Sequence, residues 1–125
     1  MKIEVYTDKA PKPIGPYSQG IISNNMLYTA GQVAINPATG EVETENIVEE
    51  THLVMSHLKC ILEEANLTFK DVIKCSIFLS DLNDFVQIND AYGSYFERPF
   101  PVRATVEVKR LPKDVNVEIS LIASI

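Results

Sequence analysis

The sequence predicts an α+β fold, a two-layer sandwich in which two helices cover one face of a single mixed β-sheet. Three observations carry this. From Val102 to Val108, apolar and polar residues alternate with period two, the pattern of a half-buried strand. Ile47, Thr51, Val54, Leu58, Ile61, Leu62 and Ala65 recur at three- and four-residue steps, the pattern of a helix with one apolar stripe. The segments between them read in the order β-β-β-α-β-α-β-β, which leaves both helices free to pack on the same side.

Each element follows from local chemistry. A first strand spans about Ile3 to Thr7 and is stopped by Pro11-Lys12-Pro13. Ile14-Gly15-Pro16-Tyr17-Ser18 is a turn that sets the direction of Tyr17. Gln19–Ser23 and Met26–Ala30 form a hairpin about Asn24-Asn25, because asparagine tolerates the left-handed backbone of a tight turn. Gly31 follows at once, permitting either a bulge or close approach by a ligand. After the Asn36–Gly40 turn, Asn46 with Glu49 resembles a capping box opening the long helix, and Asn66 suits its left-handed end. Asp71–Leu79 is an apolar-rich strand. Ser80-Asp81 caps a second helix to about Phe96, with Phe85, Ile88, Tyr92 and Tyr95 on its buried face and Asn89 beside them. The last two strands, about Val102–Leu111 and Val115–Ile125, are joined by Pro112-Lys113-Asp114.

The 125 residues are enough for one core, and no linker or repeat divides them, so residues 1–125 are read as a single domain. Hydrophobic residues make up 46% and charged residues 22%, globular values with no run resembling a signal peptide or a transmembrane helix, so a cytoplasmic protein is expected. The net charge of −6 disfavours nonspecific nucleic-acid binding. Basic residues do thicken locally at Arg98, Arg103, Lys109, Arg110 and Lys113, as a small anionic ligand would need or as ordinary surface charge would supply. Cys60 and Cys75 lack the spacing of a metal or disulfide motif. His52 and His57 stand roughly 140° apart around a helix, so they do not share a face as metal ligands would. A metal is therefore not expected.

Arg103 is the most informative residue. Placed at a strand start behind Pro99-Phe100-Pro101, it presents a planar fork of donors suited to a carboxylate; a surface ion pair is the plainer alternative. Glycine at 31 and the amide of Asn89 are further candidates, each with a structural alternative.

The ordered set Ile14-Gly15-Pro16-Tyr17-Ser18-Gln19, Thr29-Ala30-Gly31-Gln32, Asn36-Pro37 with Thr39-Gly40-Glu41, Phe78-Leu79 with Asp81-Leu82-Asn83-Asp84-Phe85, Arg103-Ala104-Thr105-Val106, Leu111-Pro112-Lys113-Asp114-Val115 and Glu118-Ile119 resembles the Rid (YjgF) family, its RidA subfamily above all, nearly end to end. The resemblance implies a chorismate-mutase-like fold, a homotrimer with clefts between subunits, and cofactor-free hydrolysis of 2-imino acids (2-iminobutanoate, 2-iminopropanoate) to 2-keto acids and ammonia. It implies Arg103 and Glu118 as catalytic, with Tyr17, Gly31, Asn89, Arg103 and Thr105 binding substrate. Many RidA proteins carry cysteine where this chain has Thr105 and serine where it has Ala30, so a thiol nucleophile there is excluded. A keto-acid-binding regulator and an endoribonuclease or translation inhibitor, as assigned to some relatives, are the rival functions. If the last two strands form a simple hairpin, Arg103 lies opposite Ile122 or Ala123, about 13 to 17 Å from Glu118. Either a large register shift intervenes or, in agreement with the intersubunit clefts the resemblance implies, the site draws Arg103 and Thr105 from one chain and Glu118, Tyr17 and Gly31 from the next.

Overall fold

Asn24 and Asn25 both adopt positive φ, 51° and 61°, and turn β2 (Gly20–Ser23) into β3 (Met26–Thr29), which pair antiparallel. In the computed structural model, which describes Met1 to Ile125, β1 (Ile3–Val5) pairs with β2 on the outer side. Asn46 Oδ1 accepts hydrogen bonds from the Val48 and Glu49 amides at 2.9 and 3.1 Å and so opens α1 (Ile47–Glu64). Asn66, at φ 60°, closes it. Val54, Leu58, Ile61 and Leu62 of α1 are fully buried in one core with Leu27, Ile77, Ile119 and Leu121 of the sheet.

β4 (Val72–Leu79) leads through α2 (Phe85–Gly93) to β5 (Val102–Glu107), and β6 (Val117–Ser124) ends the chain. The second helix is shorter than its apolar pattern suggests. Asp81 caps only a 3-10 turn, Leu82–Asp84, and α2 proper starts at Phe85 and stops before Tyr95 and Phe96, which still pack against the core.

The six strands form a single sheet in the order β1-β2-β3-β6-β4-β5. This overturns the expected terminal hairpin. β5 and β6 do not pair; β4 lies between them, parallel to β5 and antiparallel to β6. The reason is α2. A strand, a helix and a strand in succession return the chain parallel to its start, so β5 docks on β4 and becomes the sheet's edge. β6 then takes the other side of β4.

Register fixes which residues share a face. Arg103 is level with Cys75 and Cys75 with Leu121, so Arg103 projects to the helix side with those two buried residues. Val106 is level with Phe78 and Phe78 with Glu118, so these three project to the opposite face. No helix covers that face. It carries Tyr28, Val102 and Val106, exposed by 45%, 66% and 45%, beside half-buried Phe78 and Ile122. The alternation in β5 is thus the reverse of the usual one, with polar residues toward the helices and apolar ones outward. No helix of the fold is long and apolar enough to cross a membrane.

Candidate functional site

Two clusters gather the candidate residues. The first forms where α2 lies over β5. Phe85, Asn89 and Tyr92 are spaced i, i+4, i+7 and therefore share one face of α2. Arg103 rises from β5 beneath them. Its Nη1 donates to Asn89 Oδ1 at 2.7 Å, and its Cζ stands 5.6 Å from the Phe85 ring centre and 5.2 Å from that of Tyr92. One hydrogen bond and two aromatic faces hold the guanidinium without neutralising it, since no carboxylate pairs with it. It opens into a cleft of about 450 Å³ lined also by Gly93, Phe100 and Pro101. Burial pushes up both the Cys75 thiol and the Tyr92 hydroxyl. Neither is a nucleophile at neutral pH; both are packing for the arginine.

The edge position of β5 adds backbone groups. The Val108 amide donates to Leu79 O at 2.8 Å, so Val108 points its polar backbone at β4. Alternation along the strand then turns the N–H and C=O of Arg103, Thr105 and Glu107 away from β4, to the free edge. The Thr105 hydroxyl is buried and is the only buried side-chain oxygen or nitrogen without a hydrogen-bond partner. Glu107 is engaged, accepting from the Leu82 amide at 2.9 Å.

The second cluster forms where β3 leaves its ladder. Tyr28 is level with Ile122, but Gln32 with Ile119, so one extra residue is accommodated between them as a bulge. The Gln32–Ile119 bridge, two hydrogen bonds of 2.8 and 3.1 Å, lays Gly31 directly on the Glu118 side chain. A Cβ at residue 31 would stand 2.5 Å from Glu118 Oε2 and 2.7 Å from Cδ, so only glycine leaves the carboxylate where it is. Burial pushes the Glu118 carboxyl above the ordinary range. Tyr17 and Gly31 line one narrow cleft with Lys12, Ile14 and Gln19. Gln19 fixes the approach to it. Its buried amide accepts from Thr7 N at 2.7 Å and donates to Thr7 O and Pro11 O, both at 3.0 Å.

Arg103, Asn89 and Thr105 therefore come together, and so do Glu118, Gly31 and Tyr17, but the two groups stay apart within a chain. Arg103 and Glu118 differ by three positions along the strands and two strand spacings across them, about 14 Å, and project to opposite faces.

Glu50 was not among the residues the sequence singled out. It is buried, and its carboxylate accepts from Asn116 N, Asn116 Nδ2 and Val117 N at 2.8, 2.8 and 3.2 Å, fixing the entry to β6 next to Glu118. The signal was present, because Glu50 sits three after Ile47 and four before Val54, a charge on the apolar stripe. Both histidines are structural: His57 Nε2 bonds Ile35 O and His52 Nδ1 bonds the Tyr95 hydroxyl, each at 2.8 Å. Arg110 pairs with Asp114 at 2.6 Å on the open surface.

The sequence model of the family described as Endoribonuclease L-PSP matches residues 7–125. A RutC family protein of Pyrococcus abyssi is 50% identical over 119 residues, spanning 95% of this chain and 94% of that protein. Among solved structures, RidA from the Antarctic bacterium Psychrobacter superposes with a TM-score of 0.94 at 36% identity, over 98% of this chain and 99% of the other. E. coli TdcF with bound serine superposes with a TM-score of 0.92 at 39% identity, over 98% of both chains.

Proposed function

The chain belongs to the Endoribonuclease L-PSP family, which takes in the Rid and RutC proteins, and from that premise we propose that it is a RidA-type deaminase hydrolysing 2-iminobutanoate and 2-iminopropanoate. The observation that carries the reading is the Arg103 guanidinium, unpaired by any carboxylate and held rigid beside outward-facing backbone groups at a free sheet edge. That is a receptor for a small carboxylate carrying a second polar centre, and the serine bound by E. coli TdcF is such a molecule.

In the proposed reaction, Arg103 binds the substrate carboxylate in bidentate fashion. The edge N–H and C=O groups of Arg103 and Thr105 orient the imine, and Tyr17 closes the cleft. Glu118, whose burial favours the protonated form, takes a proton from water as the oxygen attacks the imine carbon. Glu118 passes that proton to the imine nitrogen, giving a carbinolamine with hydroxyl and amine on one carbon. It then takes the hydroxyl proton and delivers it to the amine as the C=O forms and the C–N bond breaks, so that 2-keto acid and ammonia leave and Glu118 is again ionised. No cofactor enters the scheme. Asn89 acts through Arg103, as a positioning residue.

Because Arg103 and Glu118 face opposite sides of one sheet, the scheme requires that a second copy supply Glu118, Gly31 and Tyr17. We propose a homotrimer whose subunits meet through the uncovered sheet face, where Tyr28, Val102 and Val106 are exposed. A keto-acid-binding protein without catalysis would use the Arg103 half alone. RNA cleavage finds less support, since both histidines are tied into the fold and the chain is acidic.

The test is a coupled assay in which a threonine dehydratase generates the imine and 2-ketobutyrate release is followed. The purified protein should accelerate release, and Arg103→Ala should remove most of the acceleration, a loss of about 1.5–3 kcal/mol in transition-state binding. Arg103→Lys should restore little, because a point charge lacks the planar fork. Unchanged release with the parent protein, together with keto-acid binding that depends on Arg103, would favour the binding-only reading.

A further inference from the structure

A third cavity, of about 610 Å³, lies between Thr68–Lys70 and the segment Ser94–Pro99, next to the Arg103 cleft but sharing no lining residue with it. It belongs to the helix layer, since Tyr95 at its wall bonds His52 of α1. Its floor is aromatic. Phe69 packs 5.2 Å from the Tyr95 ring and edge-on at 5.3 Å from that of Phe96, and all three pack against the core. Phe96 also lies 4.9 Å from Tyr92, which fixes it from behind. Three charges stand on the rim, Lys70, Arg98 and Glu97, an excess of one positive charge on a chain of net −6. Neither cation has a carboxylate partner, the one ion pair of the chain being Arg110–Asp114. Arg98 is held at the rim by the Phe100 ring, 5.2 Å from its Cζ.

We propose that this cavity is a second ligand site, for an organic carboxylate with an aromatic body. A flat apolar body matches the preformed floor of three rings, which offers offset and edge-on stacking without reorganisation. A carboxylate on a body bound over that floor finds at the rim two cations without carboxylate partners, one of them a planar fork. An inorganic anion would leave the floor uncovered, and a neutral aromatic would leave both cations unused. The site is independent of the deaminase reading, because it uses none of Arg103, Thr105, Glu118, Gly31 or Tyr17.

Titration of the 15N-labelled full chain with 2-naphthoate, followed by amide shifts, tests the proposal. The shifts should centre on Phe69, Lys70 and Ser94 to Arg98 and saturate together. The double variant Lys70→Glu with Arg98→Glu replaces two exposed side chains and should weaken binding by on the order of tenfold, as attraction at both positions becomes repulsion. Arg103→Ala should bind 2-naphthoate like the parent. Uncharged 2-naphthol should bind more weakly than 2-naphthoate to the parent and about equally to parent and double variant. Shifts centred on Tyr28 and Val106, or on Asn89 and Arg103, would overturn the proposal, as would parental affinity for 2-naphthoate in the double variant.

Discussion

Replacing Gly31 by alanine tests the geometry of Glu118 directly. The new Cβ would stand 2.5, 2.7 and 2.9 Å from Oε2, Cδ and Cγ of Glu118, where unstrained carbon contacts begin near 3.5 Å. Gly31 does not occupy the left-handed region, so the backbone accepts alanine and the effect is steric alone. Because the overlap reaches back to Cγ, moving the carboxylate tip does not relieve it; the whole side chain must turn, or the bulge must open. Overpacking of this kind costs about 1–3 kcal/mol, offset by about 0.4–1 kcal/mol from the stiffer unfolded chain. Gly31→Ala should therefore lose roughly 1–2 kcal/mol in the parent. In a Glu118→Ala background the clashing atoms are gone, and the same substitution should be neutral or stabilising by up to about 1 kcal/mol. Urea unfolding of the four proteins at one protomer concentration measures both effects, read as midpoint shifts at constant slope. Equal penalties in the two backgrounds would refute the Gly31–Glu118 contact. Gly31→Ala should also be nearly inactive as a deaminase, because it displaces the proposed base.

Refolding Arg103→Ala and Glu118→Gln chains together should restore about a quarter of the sites, since random cyclic assembly places two intact partners side by side that often. Mixed oligomers by native mass spectrometry without activity above the homogeneous controls would end the shared-site scheme. Burial raises the Glu118 carboxyl, and the base must be ionised, so kcat/KM should climb with pH through a value above the ordinary glutamate range, and Glu118→Gln should flatten the climb. The linked stability has the opposite sign: a raised folded-state value favours the folded protein at low pH, and that contribution is lost as pH rises through it. Glu118→Gln should gain on the parent above that pH in urea midpoints. Glu50→Ala strips the acceptor from Asn116 N, Asn116 Nδ2 and Val117 N and should cost on the order of 3 kcal/mol in urea unfolding; parental stability would show that water replaces the carboxylate.

What the sequence determined was local. Asn24-Asn25 turns the β2–β3 hairpin because positive φ is a property of single residues, and Asn46 and Asn66 bound α1 because caps act within one helical turn. The order of elements and the two-layer class were legible for the same reason, as was the placement of Arg103 at the start of a strand. Pairing was not. Nothing between Val102 and Ser124 records that β4 separates β5 from β6, because a ladder joins residues far apart in sequence and its partner is chosen by where α2 returns the chain. Period two likewise tells which residues share a face, but not which face the helices cover. Ala104 and Val106 look like core and face outward, while Arg103 and Thr105 look like surface and lie toward the helices. Tertiary structure alone put Phe85, Asn89 and Tyr92 around Arg103, set Gly31 against Glu118, and turned those two groups to opposite sides of one sheet, because each depends on strand order and parity that only the assembled sheet defines.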